Sequence, residues 1–81
     1  MKMKYGWVRL YFSDRGHGRI RESLTGIETF FHHSDFEGDS ASIVEQMRVQ
    51  YEVVQYIDRK NQPRTKAVHI QLVPAAPAVK P

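Results

Sequence analysis

The sequence predicts an all-β domain, a small antiparallel Greek-key barrel of five strands. Apolar side chains recur at every second position in several short segments, turn residues separate these segments, and no segment has the periodicity of a long helix. A chain of 81 residues has room for one such core. Closure into a barrel is favoured because it leaves no exposed sheet edge.

The predicted strands are short and are joined by polar connections. They cover residues 5–12, 17–21, 28–32, 48–56 and 66–73. Period-two alternation in the first strand places Val8, Leu10 and Phe12 on one face. The turn residues at 14–16 then reverse the chain into the second strand.

The second and third strands are predicted to share a polar and aromatic face. Alternation places His17 and Arg19 on the wet face of the second strand. In the third strand, Phe30 and His32 share one face, whereas Phe31 lies on the other. The two strands therefore predict a surface of rings and cations on one side of the sheet.

The second half of the chain contains the two remaining strands. An acidic and polar segment at 34–42 is predicted to be a long connection, followed by a helical turn or an extended lead-in at 43–47. The side chains predicted to point inward are Val49, Tyr51, Val53, Val68, Ile70 and Leu72. Ala67, His69 and Gln71 are predicted to point outward.

Composition indicates where the domain ends and where its loops lie. The polar run at 58–64 is predicted to be a hairpin loop between the last two strands. We expect residues 1–73 to form the domain. Residues 74–81 are rich in proline and alanine, which predicts an extended and flexible tail.

Basic residues are distributed unevenly along the chain, whose net charge is +3. One cluster lies within the first 21 residues, and a second lies at 59–66, whereas acidic residues collect in the middle. Uneven charge alone is typical of a solvated surface. Two basic clusters that flank an aromatic strand pair favour a groove that binds a polyanion.

What the sequence lacks disfavours several classes of protein. There is no cysteine, which excludes disulfides and Cys-ligated metal sites, and no apolar run long enough to cross a membrane. We find no catalytic motif and expect neither an enzyme nor a bound cofactor. His32 and His33 would point to opposite faces of a regular strand, so we expect no functional metal site. Without a recognisable secretory signal, we expect a cytoplasmic protein.

Two blocks of sequence carry motifs at a fixed spacing. Residues 6–20, GWVRLYFSDRGHGRI, align without a gap with Gly-x-Val-Lys-Trp-Phe-Asn-x-x-Lys-Gly-Phe-Gly-Phe-Ile, and residues 30–34, FFHHS, follow Phe-Val-His-x-Ser. In these blocks the chain resembles the cold-shock domain family, and the resemblance extends over residues 5–72. It implies a five-stranded OB-fold that binds single-stranded RNA or DNA, and a role as an RNA chaperone or a regulator of transcription or translation.

The chain departs from the family pattern at several ring positions. Leu10 stands where the family usually has Trp, and His17 and Arg19 stand where it has Phe. Phe12 replaces an Asn, and the loop near Ser40 lacks an aromatic residue that is common in the family. Histidine rings and arginine guanidinium planes also stack on bases. These departures from the family pattern therefore imply a surface that depends less on aromatic stacking and more on charge.

The resemblance also implies which residues contact the nucleic acid. They are Arg9, Leu10, Tyr11, Phe12, Arg15, His17, Arg19, Phe30, His32, His33, Lys60 and Arg64. The rings of this set would stack on bases, and its cations would neutralise phosphates. From the sequence, Tyr11 and Phe12 are equally compatible with packing in the core.

An alternative interpretation keeps the barrel and changes its partner. Trp7, Leu10 and Phe12 would then form the apolar part of a surface that binds a protein, with weak or no binding of nucleic acid. Trp7 is compatible with an outward stacking ring or with a cover for the end of the barrel. The sequence leaves the oligomeric state open.

Overall fold

Five antiparallel strands form one sheet in the order β3-β2-β1-β4-β5. They are β1 (Lys4–Phe12), β2 (His17–Glu22), β3 (Glu28–His32), β4 (Arg48–Ile57) and β5 (Pro63–Leu72). The computed structural model describes residues 3–73, so the tail predicted at 74–81 lies outside the described residues. The all-β prediction with five antiparallel strands is confirmed. Within residues 3–73, no helix has the length and apolar character needed to span a membrane.

The sheet curls until β5 meets the segment that follows β3. Phe36 and Ile70 form a parallel bridge across this seam. The backbone N–H of Glu37 donates a hydrogen bond to the carbonyl oxygen of Ile70 at 2.7 Å. These contacts pair the two edge regions with each other, as closure of a barrel requires.

The core lies inside this curled sheet. Its fully buried side chains are Val8, Ile20, Phe31, Val49, Tyr51, Ala67 and Ile70. The ring of Tyr11 stacks on Phe31, with centroids 5.8 Å apart and an angle of 12° between the planes. The inward positions predicted for β4 are confirmed, since Val49 and Tyr51 are fully buried and Val53 packs against them.

A β-bulge in β1 makes one face prediction wrong. Val8 and Leu10 are successive partners of β2, and Arg9 is the extra residue between them. Such a residue shifts the alternation of the strand by one position. Val8 is therefore buried, whereas Leu10 lies beside the exposed Arg19 and Phe12 is exposed. The three side chains do not share a face.

A second bulge, in β5, changes which side chains of that strand point into the core. His69 and Ile70 together lie opposite Tyr51, and His69 has a φ of 52°. The shift places Ala67 in the core, although it was predicted to face outward. Val68, predicted to point inward, is only half-buried. Leu72 pairs with the buried Val49 and so lies on the predicted side, but at the end of the strand it is 56% exposed.

Two connections also differ from the sequence prediction. β5 begins at Pro63, so the hairpin loop is shorter than the predicted 58–64. The long connection after β3 contains two 3₁₀ helices, His33–Asp35 and Ser40–Ser42. At 43–47, where a helical turn and an extended lead-in were both open, the chain makes a tight turn in which the Met47 N–H donates to the Val44 carbonyl oxygen at 3.3 Å.

A polar cluster covers the outside of the seam. The carboxylate of Glu37 lies 2.7 Å from Nδ1 of His69 and accepts a hydrogen bond from the Gln71 amide at 2.6 Å. Hydrogen bonds from Gln71 and then His69 lower the pKa of Glu37. The hydrogen bond to Glu37 is the main cause that raises the pKa of His69.

We expect the Phe31→Ala and Phe30→Ala variants to differ sharply in stability. Phe31 is fully buried, so its truncation should cost about 3–5 kcal/mol. Phe30, its neighbour in sequence, lies on the outer face, so its truncation should lower the free energy of unfolding by about 1 kcal/mol or less. Urea unfolding of both variants measures the difference. Equal losses would contradict the assignment of the two faces.

The His69–Glu37 pair should give the fold a dependence on pH that His69→Gln removes. Because folding raises the pKa of His69, its contribution is present below the ordinary imidazole pKa and is lost as pH rises through the folded value. Because folding lowers the pKa of Glu37, its contribution is lost in stronger acid. Between pH ~6 and ~8.5, the melting temperature of the wild type should fall further than that of the variant. Parallel curves would show that the pair contributes nothing.

Candidate nucleic-acid interface

The outer faces of β1, β2 and β3 bring two rows of side chains together. Leu10, Arg19 and Phe30 form one cross-strand row. Phe12, His17 and His32 form the next. We call these six residues the platform.

The rings of the platform lie in contact distance of one another. His17 is the central ring, with its centroid 5.6 Å from that of Phe12 and 5.7 Å from that of Phe30. Phe12 is 45% exposed, and His17 and Phe30 are half-buried. The platform thus presents a continuous line of three rings to a ligand.

Glycine on the inner face makes this close arrangement of strands possible. Gly18 lies between Tyr11 and Phe31 in the register, and their rings stack across it. A Cβ at Gly18 would overlap the carbonyl oxygen of Leu10 and press on the Phe31 ring. The absence of a side chain at this position therefore sets how closely β1, β2 and β3 approach.

His33 extends the ring surface beyond the end of β3. The strand ends at His32, and a 3₁₀ helix begins at His33. The two imidazole centroids therefore lie only 4.5 Å apart, and Nδ1 of His32 is 2.8 Å from Oγ of Ser34. Despite this pair, residues 3–73 contain no group of three His, Cys, Asp or Glu side chains placed to hold a metal ion.

Tyr11 does not belong to this surface, contrary to the site predicted from the sequence. Its ring packs on Phe31 at the edge of the core. The bulge at Arg9 is the reason, because it turns Tyr11 inward and Phe12 outward. The sequence left open whether Tyr11 and Phe12 pack in the core or lie on the surface. Tyr11 packs against the core, whereas Phe12 lies on the surface.

A cleft of about 620 Å³ separates the platform from the β4–β5 hairpin. Arg19 and Phe30 line one side of it, and Tyr56 and Arg64 line the other. The guanidinium of Arg64 is fixed by its Nε, which donates to Oδ2 of Asp58 at 2.8 Å. A cation is thus held in place across the cleft from an aromatic ring.

Asp58 organises the hairpin loop around this cation. Its Oδ1 accepts the backbone N–H groups of Lys60 and Gln62, each at 2.9 Å. The hydrogen bond from Gln62 is the largest of several causes that lower the pKa of Asp58, followed by that from Arg64. The carboxylate therefore stays charged and fixes both the loop and the direction of Arg64.

Comparisons with known proteins identify the fold. No protein-family model and no curated protein matches the sequence. Among solved structures 39 chains match, and Drosophila Unr CSD456 has a TM-score of 0.73 at 20% identity, over 96% of this chain and 29% of that chain. The chain has the fold of a cold-shock domain. The fold inferred from the two sequence blocks is thereby confirmed.

In this cold-shock fold, an aliphatic side chain and a cation replace two of the expected rings. Leu10 is half-buried beside the exposed Arg19, and Arg19 lies beside Phe30. The row keeps one ring of the three that the family motif would place there. In the row of Phe12, His17 and His32, Phe12 adds a ring where the family motif has Asn, and His17 and His32 both carry rings.

The predicted cations around the cold-shock platform fall into two groups, and Arg64, paired with Asp58 at 2.8 Å, belongs to the first. Arg9 lies 3.6 Å from Glu28, which also pairs with Arg21 at 3.5 Å, so one carboxylate partly neutralises two arginines. Arg15, Arg19 and Lys60 are exposed and form no salt bridge with another residue in the range 3–73. The second group is the readier to meet phosphate.

Three residues of the site were missed in the sequence. Glu28, Tyr56 and Asp58 all line the cleft. Glu28 carried a detectable signal, because it lies opposite Arg21 on adjacent strands. Tyr56 and Asp58 carried none, since their position depends on how the hairpin bends toward the platform.

Proposed function

We propose that the chain binds single-stranded RNA or DNA across the platform and the adjoining cleft. The line of rings from Phe12 through His17 to Phe30 carries the proposal. Each base that stacks on an aromatic side chain contributes about 1–3 kcal/mol and needs no particular sequence. The resemblance of the two sequence blocks to the cold-shock family points to the same class of ligand.

Cations lie on both sides of the rings, where they can contact the phosphate backbone of a bound single-stranded nucleic acid. Arg19 lies within the platform, Arg15 lies in the turn beside it, and Arg64 faces it across the cleft. Each phosphate neutralised on a single strand contributes a slope of about 0.7 to the dependence of log affinity on log salt. With rings replaced by His and Arg, a larger share of the affinity should depend on salt.

The proposed cellular role follows from binding without strict sequence readout. A protein that occupies exposed single strands acts as an RNA chaperone or as a regulator of transcription or translation, and we place this one in the cytoplasm. The proposal requires binding and no catalytic step. It also requires no cofactor, since rings and cations of the chain provide the contacts.

The first test compares Phe30→Ala with Tyr5→Ala in titrations of a labelled single-stranded oligonucleotide. Both variants remove an aromatic ring from a strand, but only Phe30 lies in the platform. Loss of one stacked base predicts roughly 5- to 150-fold weaker binding for Phe30→Ala. Tyr5→Ala should bind like the wild type. Unchanged affinity in Phe30→Ala would refute stacking on this ring.

The same titration of the wild type decides between nucleic acid and a protein partner. Trp7, Leu10 and Phe12 lie along β1 and would form the apolar part of a protein-binding surface. Micromolar or tighter binding that weakens with salt supports the proposed function. No binding at low salt would exclude it in favour of the protein partner.

The second test removes the negative charge of Glu28, which pairs with Arg9 and Arg21. Glu28→Gln should tighten binding and steepen the salt slope by up to about 0.7 for each of Arg9 and Arg21 that reaches a phosphate. Glu22→Gln is the matched control, because it makes the same charge change but pairs with Lys4. Equal effects of the two variants would mean that only net charge matters, and would contradict a local role for Glu28.

A further inference from the structure

Three imidazole rings lie together within the proposed binding surface. His17 lies between the rings of Phe12 and Phe30, and it is the cross-strand partner of His32. The ring of His33 is 4.5 Å from that of His32. A single strand stacked on the platform would bring its phosphates close to all three.

We propose that binding of a single strand is coupled to the uptake of protons by His17, His32 and His33, so that mild acid tightens binding. The inference rests on the proposed function and adds a regulation of the same site. A phosphate favours the charged form of a nearby imidazole. Because binding then favours protonation, protonation must favour binding to the same extent.

Positive charge is concentrated around the three rings. Two imidazolium rings at the 4.5 Å separation of His32 and His33 repel each other. Arg15, in the turn before His17, and Arg19, on the same strand as His17, add positive charge. A phosphate bound among these groups would offset their mutual repulsion and favour the protonated form of the rings.

Within residues 3–73, no carboxylate forms a salt bridge with any of the three rings. The charged groups on β1, the β1–β2 turn, β2, β3, the connection after β3 and β5 are Lys4, Arg9, Asp14, Arg15, Arg19, Arg21, Glu22, Glu28, Asp35, Glu37, Asp39, Glu45, Arg64 and Lys66. Asp35 pairs with Lys66 at 3.4 Å, Asp39 accepts the N–H of Ala41 at 3.0 Å, and Glu45 accepts the N–H of Tyr11 at 3.2 Å. Asp14 is exposed in the β1–β2 turn.

His69 differs from the three platform histidines and provides the control. It lies 2.7 Å from Glu37, and this contact raises its pKa. Its partner Glu37 is present in both the free and the bound protein, and His69 lies outside the platform. It therefore contributes little to proton uptake on binding.

Calorimetry measures the uptake directly. A single-stranded oligonucleotide is titrated into the full chain at pH ~6.5, near the ordinary imidazole pKa, in two buffers that differ in enthalpy of ionisation. A net uptake of protons and tighter binding at pH ~5.5 than at pH ~7.5 are expected. Binding with no proton uptake and no pH dependence would overturn the inference but leave the proposed function intact. No binding at any of these pH values in low salt would overturn both.

Two variants assign the protons to residues. His17→Phe keeps a ring on the platform but cannot take up a proton, so it should take up fewer protons at pH ~6.5 than the wild type, whatever its affinity. His69→Gln should match the wild type. Full uptake in His17→Phe would remove His17 from the coupled group. Loss of uptake in His69→Gln would overturn the assignment to the platform.

Discussion

The bulge at Arg9 determines which side chains of β1 reach the surface. Strict alternation from Val8 would bury Leu10 and Phe12 and expose Tyr11. One extra residue reverses this, so that Tyr11 stacks on Phe31 inside and Phe12 contacts His17 outside. Both the core stack and the line of rings on the platform therefore depend on the same local shift in register.

The sequence predicted the number of strands, the core of β4 and most of the platform, because these features follow from period two and from two blocks of motif. It did not predict the bulges near Arg9 and His69. Alternation shows which residues are apolar but not where a strand gains a residue, so Ala67 and Val68 were assigned to the wrong faces. The contact between Glu37 and His69 was also missed, because closure of the barrel brings together residues 32 positions apart.

The site combines a reduced set of rings with cations that are already oriented. Arg64 is held by Asp58 across the cleft from Phe30, so a ligand need not order that side chain on binding. Glu28 acts in the opposite sense, since it pairs with both Arg9 and Arg21. The affinity of the surface is set by this balance as well as by the stacking area.

Inner and outer positions alternate along β2, and Gly18 is one of the inner positions. The inner positions, Gly18 and Ile20, fix the distance between strands and fill the core. The outer positions, His17 and Arg19, pair with outer-face residues of β1 and β3, so substitutions there change the platform rather than the core. This strand can therefore change its ligand chemistry by single substitutions while the scaffold stays the same, which makes it a natural template for redesigned binding surfaces.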